Sequence, residues 1–145
     1  MLAGRDLEPL YALIRHFEGC HLTAYVCPAG VWTIGWGATG SGIGPGVRWT
    51  QPQADARMKQ DAARFARGVL RECPDIDDPT LCALADFAYN VGLGAFRAST
   101  LRRRVLAEDW PGARYQIARW NRGGGRVLRG LVRRRAAEAV LLPLG

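Results

Sequence analysis

The sequence predicts an α+β fold that is mostly helical, with a small N-terminal lobe containing a short antiparallel β-hairpin or sheet. Two observations predict it. Apolar residues recur at helical spacing near the N-terminus and again over most of the chain after the first third. Between these stretches, residues 23–49 hold short β-rich runs and glycine-rich loops. A chain of 145 residues suits a single domain. We expect residues 1–50 to form a helix and the β lobe, 51–72 a connecting helix, and 73–145 a helical lobe.

The first helix is predicted to begin after Asp6, whose side chain can cap it, with Pro9 tolerated in the first turn. Apolar residues up to Phe17 then follow at helical spacing. Gly19 can end the helix. Glu18 therefore falls in its last turn.

The β lobe is predicted from two short runs, residues 23–27 (TAYVC) and 31–37 (VWTIGWG). Residues 28–30 (PAG) separate the runs and indicate a hairpin turn. After a glycine-rich loop, residues 47–50 (VRWT) are expected to add a third short strand.

A long amphipathic connecting helix is predicted from Gln51 to about Arg71. Thr50 and Gln53 have the spacing of a capping box at its start. The helix would join the β lobe to the rest of the chain.

The helical lobe is predicted to open with Asp78 as an N-cap and Pro79 at the first helical position. Residues 80–91 are strongly apolar and indicate a buried helix. Further elements are expected in this order: a helix at 100–107 capped by Ser99, a helix at 110–120 capped by Asp109, a loop at 121–126 and a basic helix at 128–142.

The net charge of +7 is unevenly distributed along the chain. Residues 1–96 carry eight basic and ten acidic residues, whereas residues 97–145 carry twelve basic and three acidic ones. This asymmetry indicates a polyanionic partner, such as nucleic acid, an anionic membrane or an anionic cell wall. A solvated helix face is the alternative interpretation.

The four cysteines contain no C-x-x-C pair, so we expect no zinc site and no other metal. Cys73 and Cys82 flank a short loop, where a disulfide is one alternative. Free buried thiols are the state we expect of a protein made in a cytoplasm. No segment has the ~18–20 apolar residues of a membrane span. The N-terminus lacks a basic region followed by an apolar one, so no export signal is expected.

Glu18 is a candidate general acid. Glycoside hydrolysis needs one group to protonate the leaving oxygen and another to activate water or attack the sugar. A carboxylate near a helix C-terminus faces the negative end of the helix dipole, which favours the protonated form. By position alone, an ordinary surface glutamate is the simpler interpretation.

The residues that follow Glu18 favour the catalytic interpretation over the surface glutamate. Cys27 comes after eight intervening residues and Thr33 after five more. The segment FEGCHLTAYVCPAGVWTIGWG resembles the active-site segment of phage-type lysozymes of the lambdoid endolysin branch, whose pattern is Glu, eight residues, Asp or Cys, five residues, Thr. Three further blocks resemble the same family in the same order: 83–92, 95–101 and 120–135.

The resemblance implies a lysozyme-like fold with an active-site cleft between its lobes. It implies a muramidase that hydrolyses the β-1,4 bond between N-acetylmuramic acid and N-acetylglucosamine in peptidoglycan and so lyses the host cell. Glu18 would be the acid, and Thr33 would hydrogen-bond the attacking water. Cys27 stands where the family more often has aspartate, which helps to position or activate that water. Its role as a thiolate base, a nucleophile or a polar spacer is left open.

A second departure from the family is Ala38, where a histidine is usual after the Gly-x-Gly of the catalytic strand. We expect the lack of this histidine to affect stability or local order more than the chemical step. Tyr89, Asn90 and Trp36 are predicted to bind substrate, through aromatic faces and an amide. Core packing for the aromatics and a helix C-cap for Asn90 are the alternatives.

The expected partners are the glycan strands of peptidoglycan, with no nucleic acid, no organic cofactor and a monomeric chain. The basic helix within residues 126–142 could contact the anionic outer membrane, although its apolar side more simply closes the helical lobe. By resemblance, the protein would wait in the host cytoplasm until a holin opens the membrane, and then act in the periplasm on the cell wall.

Three alternatives remain from the sequence. A lytic transglycosylase would use one acid and no second carboxylate, but the spacing of Cys27 and Thr33 favours hydrolysis. A basic nucleic-acid- or membrane-binding module would explain the C-terminal charge but not the acidic N-terminal part. A bacterial toxin or effector would use the same catalysis in a different biological role.

Overall fold

The computed structural model describes all residues, 1–145. It confirms the predicted α+β class, with seven helices and two small antiparallel sheets. In chain order the elements are α1 (Glu8–Glu18), β1 (His21–Val26), β2 (Trp32–Gly35), α2 (Gln51–Glu72), α3 (Asp78–Val91), α4 (Leu93–Ala98), α5 (Thr100–Leu106), α6 (Trp110–Ala118), β3 (Arg122–Gly123), β4 (Arg126–Val127) and α7 (Arg129–Val140).

Helix α1 presents Glu18 at its end, as predicted. Asp6 stabilises the start from one position before the cap, because its carboxylate accepts the backbone N–H of Glu8 at 3.0 Å. Leu10 and Ile14 are fully buried and fix the helix on the core. Gly19 ends the helix with a φ of +68°, a conformation in which glycine has no Cβ penalty.

The hairpin of β1 and β2 forms as predicted, with Tyr25 opposite Thr33. The third strand predicted at 47–50 is wrong: this segment makes a single bridge, between Thr23 and Arg48. Two backbone hydrogen bonds join it to β1. It extends no further because Thr50 already caps the next helix.

Helix α2 begins with the predicted capping box. Gln53 donates its backbone N–H to the Thr50 hydroxyl at 3.3 Å, and Thr50 donates its own to the Gln53 side chain at 2.7 Å. The apolar face of α2 buries Met58, Ala62 and Val69. This face packs against α3, the most completely buried helix of the fold.

The N-cap of α3 is Asp77 rather than the predicted Asp78. Asp77 accepts the backbone N–H of Thr80 at 2.9 Å. The Asp78 carboxylate has other partners, since it accepts from the Arg5 guanidinium at 2.9 Å and from the Asp6 backbone at 3.1 Å. The cap therefore moves one residue earlier, and α3 is tied to the N-terminal segment.

The remaining helices follow the predicted caps at Ser99 and Asp109. Two elements differ from expectation. Residues 93–98 form the separate short helix α4, and the predicted loop at 121–126 contains the small hairpin of β3 and β4. Gly124 and Gly125 allow its tight turn with positive φ angles.

The simpler interpretation expected helix α7 to close the helical lobe with an apolar side, and the structure differs. The buried residues of α7 are Arg134, Arg135 and Glu138. The charge of this helix is therefore partly inside the protein, where each charged group needs a partner.

No helix has both the length and the apolar composition that a membrane crossing requires. All four cysteines are free thiols, and Cys73 and Cys82 are buried. Burial raises the pKa of each of these two thiols to about 11.

Candidate active site

A groove of about 390 Å³ lies where the end of α1 meets the start of α7. Glu18 is the carboxylate in its wall. The other lining residues are Phe17, Asn90, Leu128, Gly130, Leu131 and Arg134. An acid, a guanidinium, an amide and apolar side chains thus line one open groove.

Glu18 is held from two sides. Its Oε2 accepts a hydrogen bond from Arg134 Nη1 at 2.6 Å. On the other side lies Gly37, where a Cβ atom would stand 2.8 Å from Glu18 Oε1. The φ of Gly37 is +94°, so glycine suits both the backbone conformation and the close approach. The turn after β2 therefore limits where the carboxylate can move.

Arg134 is anchored by Asp86 of α3. The guanidinium donates twice to the Asp86 carboxylate, at 2.9 and 2.8 Å. Arg134 is 4% exposed and Asp86 is 0% exposed. Burial alone would raise the pKa of Asp86, but the hydrogen bonds and the charge of Arg134 hold it below its usual value. A two-point fork of this kind fixes the orientation of the guanidinium as well as its position.

Glu138 lies behind this pair and is also fully buried. Its Oε2 accepts from Arg135 Nη2 at 3.0 Å. Burial, and then the neighbouring carboxylate of Asp86, raise the pKa of Glu138 well above its usual range. The guanidinium of Arg135 stacks over the Phe87 ring at 5.0 Å.

Cys27 lies in the turn that joins β1 and β2 and is partly exposed. The backbone N–H of Val31 lowers the pKa of Cys27 most, and burial opposes it. The backbone N–H of Ala29 and the hydroxyl of Thr33 lower that pKa further. Thr33 is buried, and its hydroxyl donates to the Val31 carbonyl at 3.0 Å. A hydroxyl has one hydrogen, so donation to the sulfur would have to replace that bond.

Tyr25 lies near both Glu18 and Cys27, and the sequence reasoning did not single it out as a site residue. Burial, and then the charges of Cys27 and Glu18, raise the pKa of its phenol. The phenol is therefore within electrostatic range of both groups. Its ring packs against His21 at 4.4 Å. The signal in the sequence was an aromatic residue on the strand between Glu18 and Cys27.

The three predicted substrate-binding residues lie in different settings. Asn90 is exposed and lines both the groove at Glu18 and a neighbouring groove of about 280 Å³. Tyr89 packs on Phe65 at 5.4 Å, and its hydroxyl donates to the Trp36 carbonyl at 2.7 Å. Trp36 donates its indole N–H to Asp55 at 2.8 Å. The structure thus brings Asn90 to the groove beside Glu18, whereas Tyr89 and Trp36 bind each other and α2.

Ala38, the position where a histidine was expected, is buried and exchanges two backbone hydrogen bonds with Ile34. The turn around it is tied to α2 by other residues. Trp36 reaches Asp55, and Arg57 donates to the Thr39 carbonyl at 2.9 Å. These bonds connect the turn beside Glu18 to the connecting helix without a histidine.

The phage lysozyme family model matches residues 15–138 of the chain. An endolysin of Bacillus phage PZA is 40% identical over 136 residues, which are 92% of this chain and 53% of that protein. A SAR-endolysin of Bacteriophage PS119 is 38% identical over 122 residues, 83% of this chain and 73% of that protein. The chain spans about half the length of the Bacillus phage endolysins that it matches.

Among solved structures, the muramidase domain of SpmX from Asticaccaulis excentricus superposes with a TM-score of 0.85 and 30% identity. The match covers 97% of this chain and 99% of that domain. The similarity therefore extends over the whole fold described above.

Proposed function

The chain belongs to the phage lysozyme family, and from this premise we propose that it is an endolysin that hydrolyses the β-1,4 bond between N-acetylmuramic acid and N-acetylglucosamine in peptidoglycan. The observation that carries the proposal is Glu18, a carboxylic acid at the end of α1, in the wall of a groove and in contact with Arg134. A glycosidase needs an acid at such a place, beside an open surface long enough for sugar rings.

Glu18 protonates the oxygen of the leaving sugar. Proton transfer leaves a carboxylate, and the Arg134 guanidinium 2.6 Å away stabilises it. Gly37 keeps the other oxygen of Glu18 clear of any side chain on that face. The acid is thus positioned before the substrate arrives, which lowers the entropic cost of reaching the transition state.

Cys27 activates the attacking water as a thiolate, and Thr33 orients that water. The lowered pKa of Cys27 supports this role, because a thiol near its ordinary value is a weak base at neutral pH. The neighbouring N–H groups stabilise the charged sulfur. Mass spectrometry of enzyme quenched during turnover separates this role from that of a nucleophile, which would leave a glycosyl adduct on Cys27.

The glycan strand lies along the groove. Phe17 and Leu131 offer apolar surface for the faces of sugar rings, and Asn90 offers an amide to an N-acetyl group. The groove continues past Asn90 to Trp120, with Arg119 and Arg122 beside it. Tyr89 would act through its ring, since its hydroxyl already has a partner.

The proposed site of action is the cell wall, reached after release from the host cytoplasm through a membrane opened by a holin. Exposed arginines on α7, at 129 and 133, would bring the protein to anionic wall or outer-membrane surfaces as a monomer.

Clearing of purified peptidoglycan tests the proposal. We compare the native chain with Glu18→Gln and with Glu8→Gln, a matched change of an exposed glutamate on the same helix. The proposal requires that the native chain and Glu8→Gln clear the suspension and that folded Glu18→Gln does not. Equal clearing by Glu18→Gln would refute it.

A further inference from the structure

The turn that follows β2, residues 36–39, bounds the space that Glu18 occupies. At Gly37 the backbone comes so close that an added Cβ would stand 2.8 Å from Glu18 Oε1. On the opposite side, Arg134 Nη1 donates to Glu18 Oε2 at 2.6 Å. The carboxyl group of Glu18 is therefore held between a guanidinium and a segment of backbone, and its position depends on both.

The 36–39 turn is fastened to two helices by side chains. From α2, the Asp55 carboxylate accepts the Trp36 indole N–H at 2.8 Å. Arg57, also on α2, donates to the Thr39 carbonyl at 2.9 Å. From α3, the Tyr89 hydroxyl donates to the Trp36 carbonyl at 2.7 Å. The bond from Tyr89 thus ties the turn to the helical lobe, at the residue directly before the glycine that faces the acid.

Helix α3 reaches Glu18 on both sides. Asp86 and Tyr89 are three residues apart on this helix, so their side chains are neighbours on its surface. Asp86 and Arg134 form a buried charged cluster that places the guanidinium at Glu18. Tyr89 acts on the opposite side, through the Trp36 carbonyl. One helix therefore supports both of the groups that enclose the acid.

We propose that Tyr89 is a positioning residue whose hydroxyl holds the 36–39 turn against the general acid Glu18. This inference rests on the proposed role of Glu18. The ring of Tyr89 is half-buried and packs on Phe65 at a centroid distance of 5.4 Å, which fixes the place of the hydroxyl. Without the bond to Trp36, the turn loses its tie to the helical lobe and Glu18 gains room to move away from the productive position.

The variant Tyr89→Phe tests this role, because it removes the hydroxyl and keeps the ring. We expect kcat to fall by about 5- to 30-fold, since a small misplacement of a catalytic group can cost about 100-fold. KM should stay within about twofold, because the hydroxyl binds the turn and not the sugar. Tyr115→Phe is the matched control, since Tyr115 is exposed on α6. A raised KM with native kcat would assign the hydroxyl to substrate binding and overturn the proposal, as would native values of both constants.

A double-mutant cycle with Gly37→Ala tests whether Tyr89 acts through the turn. The added Cβ presses on Glu18, and release of the turn allows that Cβ to recede. In the Gly37→Ala background, Tyr89→Phe should therefore lower kcat by less than about twofold, or raise it, because the two changes share one contact. The same loss of kcat in both backgrounds, as independent sites give, would contradict the proposed route.

Amide hydrogen exchange, followed by NMR, tests the fastening of the turn without reference to activity. The Ala38 N–H donates to the Ile34 carbonyl at 2.8 Å within the turn, and the Cys27 N–H donates to the Val31 carbonyl at 2.9 Å in the hairpin. In Tyr89→Phe, exchange at Ala38 should become at least about tenfold faster, whereas exchange at Cys27 should not change. Native exchange at Ala38 would overturn the proposal even if the chain cleaves peptidoglycan. Failure of the native chain to cleave peptidoglycan would instead refute the proposed function, and the exchange rates would still show whether Tyr89 holds the turn.

Discussion

Replacement of Arg134 by methionine is expected to destabilise the fold much more than the same change at an exposed arginine of α7. Arg134 makes two hydrogen bonds to Asp86 and one to Glu18, from a site that is 4% exposed. Removing one member of a buried ion pair leaves the other without compensation, at a cost of about 3–5 kcal/mol. A domain of this size loses about 2–4 °C in Tm for each kcal/mol, so the predicted fall in Tm is about 6–20 °C.

The loss should also depend on pH. The pKa of Asp86 lies below its usual value in the folded protein. A group of this kind contributes stability above the pKa it has when unfolded, about 3.9 for aspartate, and loses that contribution as pH falls through the folded value. The gap between the native chain and Arg134→Met should therefore be largest at neutral pH and shrink on acidification.

Thermal and urea unfolding, followed by circular dichroism, measure both effects. Arg133→Met is the matched control, since Arg133 is exposed on the same helix and forms no ion pair. A loss within about 1 kcal/mol for Arg134→Met at neutral pH, the ordinary range of an exposed pair, would show that the buried cluster does not stabilise the fold as argued.

Three further predictions concern the site. Gly37→Ala should cost about 1–2 kcal/mol in stability, because the residue has a positive φ. It should also lower kcat by on the order of 100-fold, because the added Cβ would displace Glu18. Gly40→Ala is the control: it has a positive φ but open space around the added Cβ, so its kcat should match that of the native chain. Cys27→Ala should lose about 10²- to 10⁴-fold in kcat, and Cys27→Asp should restore activity with its acidic limit at lower pH. Native kcat in Cys27→Ala would exclude a role for the thiolate. Because the pKa of Glu138 is raised in the folded state, native stability should fall as pH rises from the ordinary glutamate range through the folded pKa. The unfolding free energy of Glu138→Gln should lack this fall, and parallel pH curves of the two proteins would contradict the raised pKa.

Local signals in the sequence predicted much of the fold. Gly19 after an apolar helical run placed Glu18 at the end of α1, and the capping box at Thr50 placed the start of α2. These elements depend on residues a few positions apart, so periodicity and caps were sufficient. The shift from Asp78 to Asp77 at the start of α3 shows the limit, because Asp78 is occupied by Arg5, 73 residues away in the chain.

The environment of Glu18 could not be predicted in the same way. Arg134 is 116 residues from Glu18 and 48 from Asp86 in sequence. In the sequence it is one arginine in a basic run, which suggested a solvated face or attraction to an anionic surface. Only the packing of α7 on α1 and α3 shows that this arginine is buried and reaches the groove.

The products released from purified peptidoglycan test the central claim most directly. Mass spectrometry separates hydrolysis, which adds one water and leaves a reducing N-acetylmuramic acid end, from transglycosylation, which leaves an anhydro end without added water. We expect reducing muramic acid ends from the native chain and none from Glu18→Gln. Anhydro ends would contradict the hydrolytic role of Cys27 and Thr33, and no cleavage by the folded native chain would contradict the muramidase assignment itself.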